Sequence, residues 1–292
     1  MSKQSLREVS NDYNFVKLIE TAAKDSGYNT WQIWDDFIYM AAAELSQPLD
    51  FRQEREDEYI RRAKSKKNVV NSFPQIFAAL VNTMEANSRS DLSDVLGDAY
   101  MRLELNNHWH GQFFTPDNVC KMMAKMILHG DMITAAIEKK GFVTINDCAC
   151  GAGGMLIAAA DALHTYEINY QTDALYVGQD VDSVCALMCY IQLSLMGVPA
   201  IIQIANTLSM EIRDTWFTPF YMLRRWKFSR FWRGEPTPEA EPEPSTTPEA
   251  SGAPGDRTLK EESGPEAESH AGVDIVLPQP TCDPVTGQYS LF

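Results

Sequence analysis

Residues 144–156 read T-I-N-D-C-A-C-G-A-G-G-M-L, an apolar run that ends at an acid, Asp147, and then meets three glycines in four positions, Gly151, Gly153 and Gly154. Small apolar residues follow from Met155 to Leu163. This order predicts a strand, a tight turn and a helix. Glycine serves where backbone passes close to a ligand or takes a positive φ, and the helix that follows presents free amide hydrogens at its N-terminus. The chemistry on offer is the binding of a nucleotide-like cofactor, although the same turn would also serve simply to join strand to helix in any α/β domain. No Gly-Lys-Ser/Thr is present, which disfavours a phosphate-cradling loop. A second apolar run, 174–177, ends at Gly178-Gln179-Asp180, and Asp180 lies 27 residues past Gly153. That is close to where a ribose-binding acid sits in cofactor-binding βαβ units. Its carboxylate suits both ribose hydroxyls, or it is a solvated acid at a strand end.

Such a turn needs a sheet to hold it. Residues 141–148 read as the first strand, 155–166 as a crossover helix and 175–180 as the second strand. A second helix, 183–196, carries the apolar stripe Val184, Leu187, Met188, Ile191 and Leu195, and a third strand, 200–204, ends at Asn206-Thr207-Leu208. Upstream, residues 13–105 have helical periodicity, with Val16, Ile19, Trp31, Trp34, Phe37 and Ile38 recurring at threes and fours. Asn29-Thr30 suits a helix start. The charged stretch 52–67, with Arg61, Arg62, Lys64, Lys66 and Lys67, reads as a solvated helix face, with phosphate contact as the alternative. Two more periodic helices are predicted over 69–84 and 91–105. A polar loop, 106–110, then leads into Gly111-Gln112-Phe113-Phe114-Thr115-Pro116, where Thr115 is placed to cap the helix that Pro116 begins. His108 and His110 in that loop are candidate general bases or plain solvated residues.

The 292 residues carry enough apolar content for a core and no run of 18 apolar residues, so no membrane span is expected and the protein is expected to be cytoplasmic. Six scattered cysteines make no disulfide framework, and Cys148-Ala149-Cys150 has no second ligand pair for zinc, so no metal site is expected. The net charge of −15 is unevenly placed: residues 235–292 hold 12 acids against 2 bases. Without a strong basic footprint on the remainder, tight DNA binding by this chain alone is not expected.

Five stretches, in order, carry a resemblance: G-Q-F-F-T-P (111–116), D-C-A-C-G-A-G-G (147–154), Y-V-G-Q-D-V-D (176–182), L-S-L-M-G-V (193–198) and A-N-T-L (205–208). Together they resemble the N6-adenine DNA methylases of the modification-subunit type over roughly 91–208. The resemblance implies S-adenosylmethionine as cofactor and the exocyclic amine of adenine in DNA as methyl acceptor. It places Phe113, Phe114 and Thr115 over the methionine end of the cofactor. It puts Asp147, Gly151, Gly153 and Asp180 around the rest, with Asn206 at the adenine or its edge. It also implies a partner chain that supplies target recognition. The expected architecture is α/β: an N-terminal helical domain (1–107), a partial Rossmann-like methyltransferase domain (108–234) and a disordered acidic tail (235–292).

The family's Asn/Asp-Pro-Pro-aromatic tetrapeptide, which accepts the protons of the target amine, is missing from this sequence. Thr218-Pro219-Phe220 is the nearest ordered relic, and the stretch 211–216 is too polar for a buried strand. Val273 to Pro280 looks like the preceding strand with a scrambled Pro-Gln-Pro. Residues 217–233 interleave Arg224, Arg225, Lys227, Arg230 and Arg233 with aromatics, a pattern that suits nucleic acid and equally suits a helix covering a sheet edge. The terminal Gln288-Tyr289-Ser290-Leu291-Phe292 resembles the peptide by which replication proteins dock on the sliding clamp, with Gln288, Leu291 and Phe292 as the contacts. Two functions therefore stand: an adenine-specific DNA methylase, or a degenerate, non-catalytic adapter built on the same fold. Methylation of a protein or small molecule is disfavoured by the Gln-Phe-Phe-Thr-Pro likeness.

Overall fold

Apolar residues at threes and fours fold the first hundred residues into helices, and the computed structural model describes residues 14–88, 91–105, 113–224 and the backbone of 289–290. All of these belong to one unit by contact. Helices α1 (Asn14–Ser26), α2 (Thr30–Ser46), α3 (Gln53–Ser65), α4 (Phe73–Ser88) and α5 (Val95–Arg102) come first. A capping box opens α2: the Asn29 side chain accepts from the Gln32 amide at 2.8 Å, while Gln32 accepts from the Asn29 amide at 3.2 Å. One face of α2 buries Ile33, Trp34, Phe37 and Ile38. The predicted helix over 91–105 is shorter at both ends, because Asp94 caps it and Leu103 ends it.

Helices α6 (Asp117–Ile127) and α7 (Gly130–Lys140) lead into the sheet, α7 being unanticipated from the sequence. Thr115 does not cap α6: the N-cap is Pro116, without a side-chain bond, and the Thr115 carbonyl accepts from the Cys120 thiol instead. The sheet then follows as β1 (Val143–Asp147), α8 (Gly154–Thr165), β2 (Ala174–Asp180), α9 (Ser183–Leu195), β3 (Ala200–Asn206), β4 (Glu211–Phe217), a short α10 (Pro219–Arg224) and β5 (Tyr289–Ser290). Strand order is β4-β3-β2-β1-β5. Strands β1, β2 and β3 run parallel and β5 joins the outer edge of β1 in parallel, while β4 folds back antiparallel on β3.

Parallel strands are covered on both faces, and successive side chains alternate between them. Tyr176 and Ile202 enter the main core with α8 and α9, whereas their neighbours Leu175 and Ile201 meet Phe142 and Tyr221 on the other side. The strand β4 was not anticipated. Its polar sequence excludes a buried strand, but an edge strand tolerates it, and Glu211 to Arg213 are exposed there.

The helices and the sheet share one hydrophobic core. The charged stretch that read as a solvated face is part of the reason. Arg55 is buried, bonds Asp50 at 3.2 Å and Asp214 at 3.0 Å, donates to the Thr215 carbonyl at 2.7 Å, and lies 3.6 Å from the centre of the Trp216 ring. Arg62 pairs with Asp35, Asp36 and Glu58, and Lys66 with Asp36. These cations are tied internally, fastening α3 to α2 and to β4. Among the described residues no helix is long and apolar enough to cross a membrane.

Candidate functional site

The carboxyl ends of β1 and β2 carry the glycine turn. Asp147, last in β1, accepts from the Ala149 amide at 3.0 Å. The turn is pinned to β2 where the Cys150 amide donates to the Gln179 carbonyl at 2.8 Å, and the Gly151 amide donates to the Asp180 carboxylate at 2.8 Å. Glycine is required at two positions. Gly151 has φ +53°, and a Cβ there would stand 3.1 Å from the Phe114 ring; Gly153 has φ +100°, and its Cβ would stand 2.9 Å from the Cys189 sulfur. Thr207, beyond β3, donates to the Cys148 carbonyl at 2.6 Å and closes the turn from the third strand.

A cavity of about 320 Å³ opens over this turn. Phe113, Phe114, Thr115, Asp147 and Gly151, all singled out in the sequence, line it. Phe114 is held against Tyr100 at 5.2 Å between ring centres, and Phe113 is 73% exposed at the rim. The other three named residues stand behind or beside the cavity. Gly153 backs onto α9. Asp180 holds the turn through Gly151 and accepts from the Asp182 amide at 2.8 Å through its other oxygen. Asn206 accepts from the Leu208 and Ser209 amides and so caps the turn into β4.

Three carboxyls of this region are held above the usual carboxylate range. Burial pushes Asp147 up to about 6, against the Ala149 amide and with help from the Asp180 charge. Burial likewise pushes Asp94 up to about 6, against hydrogen bonds from Gln192 and Gly97. Asp180 is raised by burial, against the amides of Asp182 and Gly151. Among the described residues no ion pair reaches these three carboxyls, and buried carboxyls so placed suit a cationic ligand.

Sequence reasoning missed two features. Asp94 lines the cavity although it lies far upstream, and its only local signal was the Asp-x-x-Gly spacing of a helix N-cap. Val181 and Leu208, just past the ends of β2 and β3, are 59% and 97% exposed, apolar side chains left facing solvent beside Asp180 and Asn206.

Thr218 does not join the site. Its hydroxyl is fully buried at the start of β3, donating to the Val198 carbonyl and accepting from the Ala200 amide, both at 2.7 Å. That is the end of the sheet opposite the glycine turn, and Pro219 and Phe220 follow it there. Gly111, Gln112, His108 and His110 lie outside the described residues, as do Gln288, Leu291 and Phe292 and the stretches 225–233 and 273–280.

An α/β domain that closes a glycine turn over the carboxyl ends of parallel strands falls in the class that binds nucleotide-type cofactors. Residues 91–234 match the model of the N-6 DNA methylase family. No curated protein matches the chain. Among solved structures, it is similar to the methyltransferase subunit of a type I restriction-modification system from Streptococcus thermophilus, at 19% identity over 66% of this chain and 50% of that one, with a TM-score of 0.27. The chain thus spans about half the length of that subunit, and so slight a structural likeness carries no argument.

Proposed function

We propose that the chain is the cofactor-binding part of an adenine-N6 DNA methyltransferase of the modification-subunit type, using S-adenosylmethionine in the cytoplasm and acting on DNA with a partner chain. In this reading residues 1–107 are helical support and 108–234 the methyltransferase part. The observation that carries it is the cavity walled by the glycine turn and Asp147, inside a segment of N-6 DNA methylase sequence.

The residues present fit that cofactor. The turn lacks side chains where a ligand would press on backbone, and Asp147 offers a carboxylate to a cationic amino-acid end. Asp180 keeps free lone pairs for a ribose diol while holding the Gly151 amide. Val181 and Leu208 offer exposed apolar faces to an adenine ring, with Asn206 at its edge. Phe113, Phe114 and Thr115 would cover the remaining side and keep water from the reacting centre. When bound, S-adenosylmethionine supplies an electrophilic methyl on a sulfonium.

The acceptor half of the reaction needs groups that take the two protons of the adenine amine and orient its lone pair. Thr218 is spent on β3 and does not supply them, and in this reading they come from the partner chain. The same observation favours a second reading, a cofactor-binding adapter without catalysis.

The test is calorimetric titration of the purified chain with S-adenosylmethionine, followed by tritiated-methyl transfer to adenine-rich DNA with and without a co-expressed target-recognition chain. Binding with transfer is expected only when the partner is present. Binding with no transfer in either case would establish the adapter, and no binding would remove both readings.

A further inference from the structure

One wall of the cavity comes from the helical segment. Asp94, the N-cap of α5, is 8% exposed. Its Oδ1 accepts from the Gly97 amide at 2.8 Å and from the Gln192 side-chain amide at 2.7 Å. Gln192, fully buried on α9, also donates to the Ala152 carbonyl of the glycine turn at 2.8 Å and accepts from the Leu96 amide at 3.0 Å. The carboxylate is therefore fixed in orientation relative to the turn. Its other oxygen, Oδ2, has no hydrogen-bond partner among the described residues; it lies over Gly97 and beside Gly154, where a Cβ would stand 3.3 Å from it, and Asp94 lines the cavity.

A cap needs only one oxygen. An aspartate here keeps a second oxygen that no protein donor uses and that stays open to a ligand donor in the cavity. The titratable groups around it are Asp98 on α5, Asp117 and Cys120 on α6, Cys185 on α9 and Asp147 on the same cavity. The nearby cation Lys121 is taken by Asp91 and Asp117, and no ion pair reaches Asp94 among the described residues. The environment is anionic and lacks only a cation.

We propose that Asp94 is a cofactor-binding residue, accepting a hydrogen bond from the primary ammonium at the amino-acid end of the cofactor, with Asp147 as the second carboxylate. The assignment deepens the S-adenosylmethionine reading and rests on it. It also gives the helical segment a direct part in the site, since Asp94 and the turn are joined through a single glutamine.

Asp94→Asn tests this, because the amide keeps an oxygen for Gly97 and Gln192 and loses the second acceptor. Three ligands are titrated calorimetrically into the full chain: S-adenosylmethionine, S-adenosylhomocysteine and 5′-methylthioadenosine, which lacks the amino-acid end. In the variant the first two are expected to weaken by about tenfold to a hundredfold, as for a lost charged hydrogen bond, and methylthioadenosine to bind unchanged. In the unaltered chain the free carboxyl, held up to about 6, must lose its proton to meet a cation. Binding then releases a proton, and affinity for the amino-acid ligands rises from pH 5 to pH 7 by up to about tenfold per pH unit per group. That slope should be smaller in the variant. If Asp94→Asn fails to fold by its thermal transition, Asp94→Ser retains a cap and is expected to show the same loss. Equal affinity of variant and parent for S-adenosylhomocysteine, or equal weakening of all three ligands, would overturn the assignment. If the unaltered chain binds none of them, the cofactor reading itself falls and the role of Asp94 with it; if it binds and Asp94→Asn binds alike, only Asp94 falls.

Discussion

Gly153 sits where two constraints meet, a φ of +100° and a Cys189 sulfur that would lie 2.9 Å from any Cβ. The two have different remedies. Replacing Gly153 by alanine is expected to cost about 2 kcal/mol, the usual scale for a non-glycine residue held in a sparsely populated backbone region. Adding Cys189→Ala removes the sulfur but not the backbone strain, so the double variant should recover part of the loss. Urea unfolding of the four proteins in that cycle reads both contributions, and an interaction energy near zero between the two substitutions would show that the contact with α9 is immaterial. The glycine pattern around Asp147 was visible in the sequence because it is local: strand, acid, turn and helix lie within thirteen residues. Asp94 was not visible, since a residue that reaches a pocket from 53 positions upstream of Asp147 leaves no trace in spacing.

Elements show the same division between local and distant causes. The three parallel strands and their crossover helices follow from apolar runs and periodicity, and the structure keeps them within a residue or two. Helix α3 was recognised as charged but misread in role, because a charge pattern does not say where its partners are. Arg55 finds Asp214 and the Thr215 carbonyl 159 and 160 positions away. Removing one member of such a buried pair leaves the other uncompensated. Arg55→Ala is therefore expected to destabilise by about 3 kcal/mol, through loss of the ion pair and of the stacking on Trp216. Arg61 makes its pair with Glu58 on an open surface and serves as the control, its alanine variant remaining close to the parent. Thermal midpoints would tell them apart, and an Arg55→Ala protein as stable as the Arg61→Ala one would mean that α3 is not fastened to β4 by this residue. The strand β4 was lost to sequence reading for a related reason: its polar residues suit an edge, and only the fold shows which strand is the edge.

At the scale of the whole molecule, the position of β1 matters most. The Val143 amide donates to the Asp173 carbonyl on the β2 side, so the backbone groups of Val143, Ile145 and Asp147 face β2, and those of Thr144 and Asn146 face outward. Among the described residues they meet Tyr289–Ser290, the short β5. An open strand edge is a liability that proteins cover, and Tyr289 and Ser290 pair with this one. Deleting Gln288 to Phe292 should therefore accelerate amide exchange at Asn146, whose amide faces the Tyr289 carbonyl in this register, while leaving Val143, Ile145 and Asp147 protected by β2. Unchanged exchange at Asn146 would mean that β5 contributes nothing to the edge. Faster exchange at all four would mean that β5 supports the strand as a whole.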